Sequence, residues 1–315
     1  MNRCEPILEQ AARNHAGAAE ELARHVSEAT VIRRDELLAK HTTLRVGGPA
    51  DVYVEPGSEQ DLAAILAWCH EGGRRFFLLG RGSNLLVKDD GFRGVVICLA
   101  HAQFSRIEVA GARLNCGAGV KLKAVAVAAS RNDLAGLEFL EGIPGTVGGA
   151  LRMNAGAMGR AMLDVVESVR LMSFDGSVHE RLAPELAVAY RSCPALKTHI
   201  ALAAVLRGQP GSREIIEQVM NEYSRKRWQS QPAAPSAGCI FKNPPSIPAG
   251  KLIDELGLKG TRVGGAVVSA EHGNFIVNSG TATARDMFDL IEIIKQRVRA
   301  ERGIELETEV EIVGE

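Results

Sequence analysis

Two glycine-dense loops constrain this chain more than any other feature. The first, Gly80-Arg81-Gly82-Ser83-Asn84, follows the apolar run Phe76 to Leu79, and the second is Gly142-Ile143-Pro144-Gly145-Thr146-Val147-Gly148-Gly149-Ala150. Glycine lets a backbone approach a ligand closely, and successive N–H groups with Ser83 and Asn84 can donate to an anion such as a pyrophosphate. Pro144 fixes its own φ, and the four glycines around it leave the remaining amides unshielded. A pair of such loops can wrap a long diphosphate. The first loop holds no lysine and lacks the full glycine spacing, so it is neither a P-loop nor a dinucleotide fingerprint of the Rossmann type. Its plain structural alternative is a tight turn, and that of the second is a glycine crossing between packed strands.

The fold around these loops must be that of an ordinary soluble globular protein. The 315 residues are 46% hydrophobic and 24% charged, enough for two or three domains with a real core. Lysine plus arginine number 37 against 38 acidic residues, so no global field draws the chain to nucleic acid or an anionic membrane, and any phosphate must be held locally. The start of the chain lacks the pattern of a signal peptide, and no apolar run approaches the roughly 18 residues of a membrane span. A cytoplasmic location is expected. Cys4, Cys69, Cys98, Cys116, Cys193 and Cys239 are scattered with no C-x-x-C pair, which argues against zinc and against a disulfide framework.

Periodicity predicts an α+β chain. Residues 1 to about 40 read as a charge-rich leader helix. A strand at Asp51 to Val54, a helix from Glu59 to His70 and a strand at Phe76 to Leu79 follow. A second α+β region has strands at Val95 to Leu99, Arg106 to Val109 and Leu114 to Cys116, then a helix from Leu122 to Ser130. It continues with strands at Val165 to Phe174 and Ile200 to Leu206, with Asp175-Gly176 as hairpin turn. A helix from Arg213 to about Trp228, an ordered loop from Gln229 to Ser236 and a helix from Thr283 to Arg302 complete the third part. The final segment alternates Leu306, Thr308, Val310 and Ile312 with Glu307, Glu309 and Glu311, which predicts a strand with one acidic face. The expected division is 1–98, 99–210 and 211–305, with 306–315 returning to the first part.

Taken in order, HTTLRVGGPADVYVEP from His41, LLGRGSNLLV from Leu78, GLEFLEGIPGTVGGALRMNAGA from Gly136 and YRSC from Tyr190 are similar to motifs of one family. So are SAGCIFKNP from Ser236, KLIDELGLKG from Lys251 and IELETEVEIVG from Ile304. The chain resembles the UDP-N-acetylenolpyruvoylglucosamine reductases over nearly everything beyond residue 40. The resemblance implies an FAD-binding fold of the PCMH type, shared with vanillyl-alcohol oxidase, in two lobes, followed by an α+β substrate domain. It implies FAD as cofactor and NADPH as reductant for making UDP-N-acetylmuramate. Gly80, Arg81, Gly82, Ser83 and Asn84, with Ile143, Pro144, Gly145, Thr146 and Gly149, would bind the FAD pyrophosphate and neighbouring groups, and Arg45 and Asn154 would lie near the cofactor.

The family reaction reduces an enol ether through an enolate-like anion, so it needs a cation for the substrate carboxylate and an acid where protonation occurs. By motif match these are Arg191 and Cys239. The thiol of Cys239 stands where the family has serine or cysteine and is mostly protonated at neutral pH. Glu309 matches the family's C-terminal glutamate, although chemistry alone does not choose it over Glu307 or Glu311. Arg225, Lys226 and Arg227 form a basic helix end; Arg227, with Tyr190 and Asn243, is expected to meet the nucleotide of a UDP-sugar. Without the family, Arg191 reads as a surface ion-pair residue, Cys239 as a small buried hydrophobe and the basic cluster as a helix-dipole effect. Some family members close over the substrate with a tyrosine-bearing loop, but the stretch from Gly260 to Ser279 is short and has no tyrosine. Another flavoprotein oxidoreductase of the same fold, or a non-catalytic flavin or UDP-sugar binder, stays open as an alternative. No protein partner, nucleic acid or metal is implied.

Overall fold

The structure, a computed structural model, describes residues 17–314. Its contacts divide the chain into two compact units, the first made of the residues up to Glu36, Ala50–Gly80 and Gly94–Tyr223, the second of Leu37–Pro49, Arg81–Arg93 and Ser224–Glu315.

The first unit is built on two sheets. One runs in the order Val31–Leu37, Pro49–Glu55, Phe92–Cys98, Phe76–Leu79, the last two strands parallel with Phe76 opposite Val95. The other is antiparallel, in the order Val178–Leu182, Val166–Ser173, His199–Arg207, Arg113–Gly117, Ile107–Ala110. The hairpin between Val166–Ser173 and Val178–Leu182 turns at Asp175-Gly176, as the turn chemistry predicts. A first helix, α1, is described over 17–22, and α2 spans Glu59–Glu71. Helix α2 buries Leu62, Ile65, Leu66 and Trp68 against Val52, Val54, Val95 and Ile97 of the first sheet and Met172, Ile200 and Leu202 of the second. The short helices α3 (Leu122–Arg131) and α4 (Val147–Arg152) bury Val125, Ala129, Val147 and Leu151 in a core with Leu114, Val169 and Leu206.

The expected leader helix to about residue 40 ends far earlier. From residue 23 the chain turns, and Val31–Leu37 is a strand. Tertiary bonds enforce the break: the Ser27 N–H and hydroxyl both donate to Asp61, at 2.7 Å each, and the Thr30 hydroxyl accepts from the Gly57 N–H at 3.0 Å. Groups held by distant partners cannot also follow a helix, and β-branched Val31 and Ile32 then suit a strand. Residues 1–16 of that prediction lie outside the described residues.

Helix α5, Arg213–Ser230, contains the division between the units after Tyr223. The second unit has a four-stranded antiparallel sheet in the order Ser236–Cys239, Phe275–Asn278, Ala266–Val268, Arg262–Val263. Helix α6 (Ala249–Glu255) and helix α7 (Ala284–Arg302) cover it, the latter burying Met287, Leu290, Ile291, Ile294 and Val298. Thr283 caps α7 in a reciprocal pair with Asp286, and Gly303 ends it at φ 64°. The Asp89 carboxylate also accepts from the Ala284 and Arg285 N–H groups, at 2.8 and 2.9 Å.

The strand expected over Leu306 to Ile312 is not continuous. Thr308 makes an isolated bridge to Phe241, and regular pairing begins only at Glu311–Val313, which lies parallel to Leu85–Val87. The segment changes partner in between: the Glu309 N–H donates to the Ile240 carbonyl at 2.8 Å, and the Glu311 N–H to the Asn84 carbonyl at 3.0 Å. A chain that switches neighbours must bend there, which breaks the period of two and the single acidic face. Among the described residues no helix is long and apolar enough to cross a membrane.

Candidate active site

The predicted site residues divide between the units. Gly80, Ile143, Pro144, Gly145, Thr146, Gly149, Asn154, Tyr190 and Arg191 belong to the first; Arg45, Arg81, Gly82, Ser83, Asn84, Arg227, Cys239, Asn243 and Glu309 belong to the second.

In the first unit Gly80, which opens the first glycine loop, meets the second loop. Thr146 caps α4, its hydroxyl accepting from the Gly149 N–H at 3.4 Å, and a Cβ on Gly80 would come within 3.1 Å of that same hydroxyl. Gly80 and Gly149 are exposed, and a Cβ on Gly149 would touch only Thr146, at 3.6 Å. Packing therefore does not demand glycine at Gly149, whereas a Cβ on Gly80 would press on the Thr146 hydroxyl, and both glycines keep open a strip of bare backbone. The amides of Val147 and Gly148, by contrast, turn inward to the carbonyls of Val120 and Ala118 at 2.9 and 2.8 Å. The open strip fits the phosphate chain of a dinucleotide, which needs close backbone approach more than side-chain bulk.

Beyond α4 the chain reaches Asn154, whose backbone is left-handed at φ 39° and whose side-chain oxygen accepts from the Leu163 N–H at 3.2 Å. Asn154 lines a cavity of about 320 Å³ together with Arg160, Asp164, Tyr190 and Arg191. Arg191 is itself left-handed, at φ 55°, and its guanidinium lies 5.0 Å from the centre of the Tyr190 ring, which is 62% exposed. Such conformations are uncommon for arginine and gather at functional sites. Arg45, in the second unit, shares the left-handed conformation at φ 57°.

In the second unit Cys239 and Glu309 come together through the backbone. Cys239 ends a sheet strand, and the next residue, Ile240, accepts the Glu309 N–H through its carbonyl. The Glu309 carbonyl in turn accepts from the Asn84 side chain at 3.1 Å. Cys239 and Glu309 are both half-buried, whereas Glu307 is exposed and ion-paired to Lys242 at 2.9 Å. Gly82 is buried and left-handed at φ 61°, and a Cβ there would meet the His41 carbonyl at 2.4 Å, so this glycine has an intramolecular cause. The side-chain oxygen of Asn243 accepts from the Ala249 N–H at 3.0 Å, at the start of α6, and the Arg227 guanidinium lies 5.5 Å from the Trp228 ring.

Three positioning side chains escaped the sequence reading. Asn274, 2% exposed, accepts from the Phe241 N–H at 2.9 Å and donates to the Phe241 carbonyl at 2.8 Å, pinning the segment beyond Cys239. Thr43 donates to the Ser236 carbonyl at 2.7 Å, and Asn278 to the Leu44 carbonyl at 3.1 Å. The available signal was two asparagines flanking an apolar strand in Gly273-Asn274-Phe275-Ile276-Val277-Asn278, since a buried amide must find partners.

Residues 50–181 match the family described as FAD binding domain, and residues 231–313 match the C-terminal domain of UDP-N-acetylenolpyruvoylglucosamine reductase. The UDP-N-acetylenolpyruvoylglucosamine reductase of Clostridioides difficile (strain 630) is 44% identical over 286 residues, covering 90% of this chain and 94% of that protein. The UDP-N-acetylenolpyruvoylglucosamine reductase 2 of Symbiobacterium thermophilum is 44% identical over 299 residues, covering 94% and 96%. The crystal structure of the Thermus caldophilus enzyme of that name is 40% identical and superposes with a TM-score of 0.79 over 90% of this chain and 99% of its own. Identity of this level along nearly the full length of each protein, carried by both units, means that the chain belongs to the UDP-N-acetylenolpyruvoylglucosamine reductase family.

Proposed function

We propose that this chain performs the reaction of its family: reduction of UDP-N-acetyl-3-O-(1-carboxyvinyl)-glucosamine, the enolpyruvyl ether of UDP-N-acetylglucosamine, to UDP-N-acetylmuramate for peptidoglycan synthesis, with FAD as cofactor and NADPH as reductant. The observation that carries the reading is the backbone bond from Glu309 to Ile240, the residue next to Cys239, within residues 231–313 that match the family's C-terminal domain. When bound, FAD supplies the two-electron chemistry that no amino-acid side chain can. The open strip at Gly80, Thr146 and Gly149 would take its pyrophosphate, with Ile143, Pro144 and Gly145 alongside and Arg45, Arg81, Ser83, Asn84 and Asn154 near the cofactor.

The protein's part is charge and proton placement. Arg191 grips the substrate carboxylate through its planar fork and stays cationic as negative charge develops. Cys239 gives its proton to the carbon beside that carboxylate, and Glu309 helps to polarise the enolpyruvyl group. Tyr190, Arg227 and Asn243 are assigned to the nucleotide, Asn243 through the amide nitrogen that its bond to Ala249 does not use. The proposed location is the cytoplasm, where the nucleotide-sugar substrate and NADPH would be met.

The test is direct. The purified protein should show a flavin spectrum and oxidise NADPH only when the enolpyruvyl sugar is present. Glu309→Gln should lower kcat by orders of magnitude, while Glu307→Gln and Glu311→Gln change it little, because only the residue facing the substrate feels the developing charge. Equal, small effects from all three would remove Glu309 from the mechanism. A colourless protein unable to take up FAD would overturn the whole reading.

A further inference from the structure

We propose that Arg152 is a positioning residue that holds the Arg191 turn and joins it to the second glycine loop. The inference rests on the assignment of Arg191 to the substrate carboxylate. Tyr190 and Arg191 form the tip of a tight turn closed by reciprocal bonds: the Ala189 N–H donates to the Ser192 carbonyl at 2.9 Å and the Ser192 N–H to the Ala189 carbonyl at 3.1 Å. A left-handed arginine such as Arg191 persists only where its surroundings over-determine it. One residue, Arg152, bonds the segment that leads out of this turn. The Arg152 carbonyl accepts the Cys193 N–H at 3.1 Å, and its guanidinium donates to the Leu196 carbonyl at 3.2 Å, so Arg152 takes hold of both ends of the segment that follows the turn. Cys193 and Leu196 are buried, 2% and 5% exposed, which fixes that segment against the core.

Arg152 is also the last residue of α4, whose first turn carries Thr146 and Gly149. One six-residue helix thus has the glycine loop at its start and the grip on the Arg191 turn at its end. The loop and the turn are tied to opposite ends of the same short helix. A displacement of about 1 Å in a group that orients substrate can cost roughly 100-fold in rate.

Stopped-flow measurement of the two half-reactions tests this. Arg152→Met keeps the stem and the backbone bond but removes the donor to Leu196. It should bind FAD and be reduced by NADPH at a rate within about twofold of the parent, yet be reoxidised by the enolpyruvyl sugar about 10- to 100-fold more slowly. Arg152→Lys, which retains a donor at nearly the same reach, should recover part of the loss and serves if the methionine variant folds poorly. Arg191→Ala is the reference and should be slower still. Reoxidation of Arg152→Met at the parent rate, with Arg191→Ala slow, would overturn the positioning role alone. A fall in thermal stability and flavin content with unchanged reoxidation per bound flavin would also overturn it, as a purely structural effect. If Arg191→Ala reoxidises normally, the carboxylate assignment itself is wrong.

Discussion

Glycine serves two different purposes in these loops, and substitution separates them. At Gly82 a side chain would meet both a left-handed backbone and the His41 carbonyl, so Gly82→Val should destabilise the protein by more than the roughly 1–2 kcal/mol of a left-handed residue and show first as a lowered Tm. At Gly149, whose Cβ would touch only the Thr146 hydroxyl, Gly149→Val should leave Tm nearly unchanged and lower bound flavin, read as flavin absorbance per protein. Cys239 permits a similar separation. Burial pushes the Cys69 thiol up to about 11 and Cys116 up to about 12, and raises Cys98 and Cys193 as well, so these four stay protonated and unreactive near neutral pH. Among the described cysteines, alkylation of the native protein should therefore reach half-buried Cys239 first, as peptide mass spectrometry would report. Cys239→Ala should keep flavin reduction by NADPH and slow reoxidation by about 10²–10⁴-fold, with Cys239→Ser retaining more than alanine. A Cys239→Ala enzyme that reoxidises at the parent rate would return the residue to packing. At this scale a motif offers Cys239 and Arg191 as candidates, whereas bonds made to distant carbonyls leave no trace in the local sequence. Asn274 and Arg152 act on Phe241 and Leu196, pairings that no local pattern announces.

Helices with local punctuation were read closely. Ser58 accepts from the Asp61 N–H and Gly72 closes α2, while Thr283 and Gly303 bound α7, so both helices carry their limits in their own residues. The failures lie where tertiary bonds override period, at the leader segment after residue 22 and at the bend near Glu309. Asp61 joins the two cases, because it bonds the Ser58 cap of α2 and ties down Ser27. Burial opposes its charge, but the Ser27 N–H, the Ser27 hydroxyl and the Ser58 hydroxyl outweigh that and hold its carboxyl below the usual carboxylate range. A carboxyl whose folded pKa lies below its unfolded value adds stability above the unfolded pKa and loses it as pH falls through the folded one. Asp61→Asn should thus cost about 1 kcal/mol near neutrality, where the parent carboxylate is charged, and the gap between variant and parent should close below about pH 4. Denaturant melts across that range check the sign; a gap that widens in acid would contradict it.

On the scale of the whole molecule, composition and motif order anticipated a flavin-binding α+β protein, and the family matches on residues 50–181 and 231–313 agree with that. The interleaving of the units was hidden, because Leu37–Pro49 and Arg81–Arg93 belong with a unit whose bulk begins at Ser224. Sequence periodicity reports neighbours a few positions apart and carries nothing about partners two hundred residues away. Deleting Glu311–Val313 should accordingly damage the second unit more than the first, as hydrogen exchange resolved along the chain would reveal: protection lost at Leu85–Val87 and kept at Val52 and Val54. The parallel pairing of Leu85 with Glu311 also sets a clock on biosynthesis. The two are 226 residues apart (311 minus 85), so a ribosome adding about 5–20 residues per second needs roughly 10–45 s to deliver the partner of a strand it has already made. Throughout that interval Leu85, Leu86 and Val87, all buried in the finished protein, are apolar groups on a nascent chain with an open edge, a segment suited to holding by a chaperone until translation catches up.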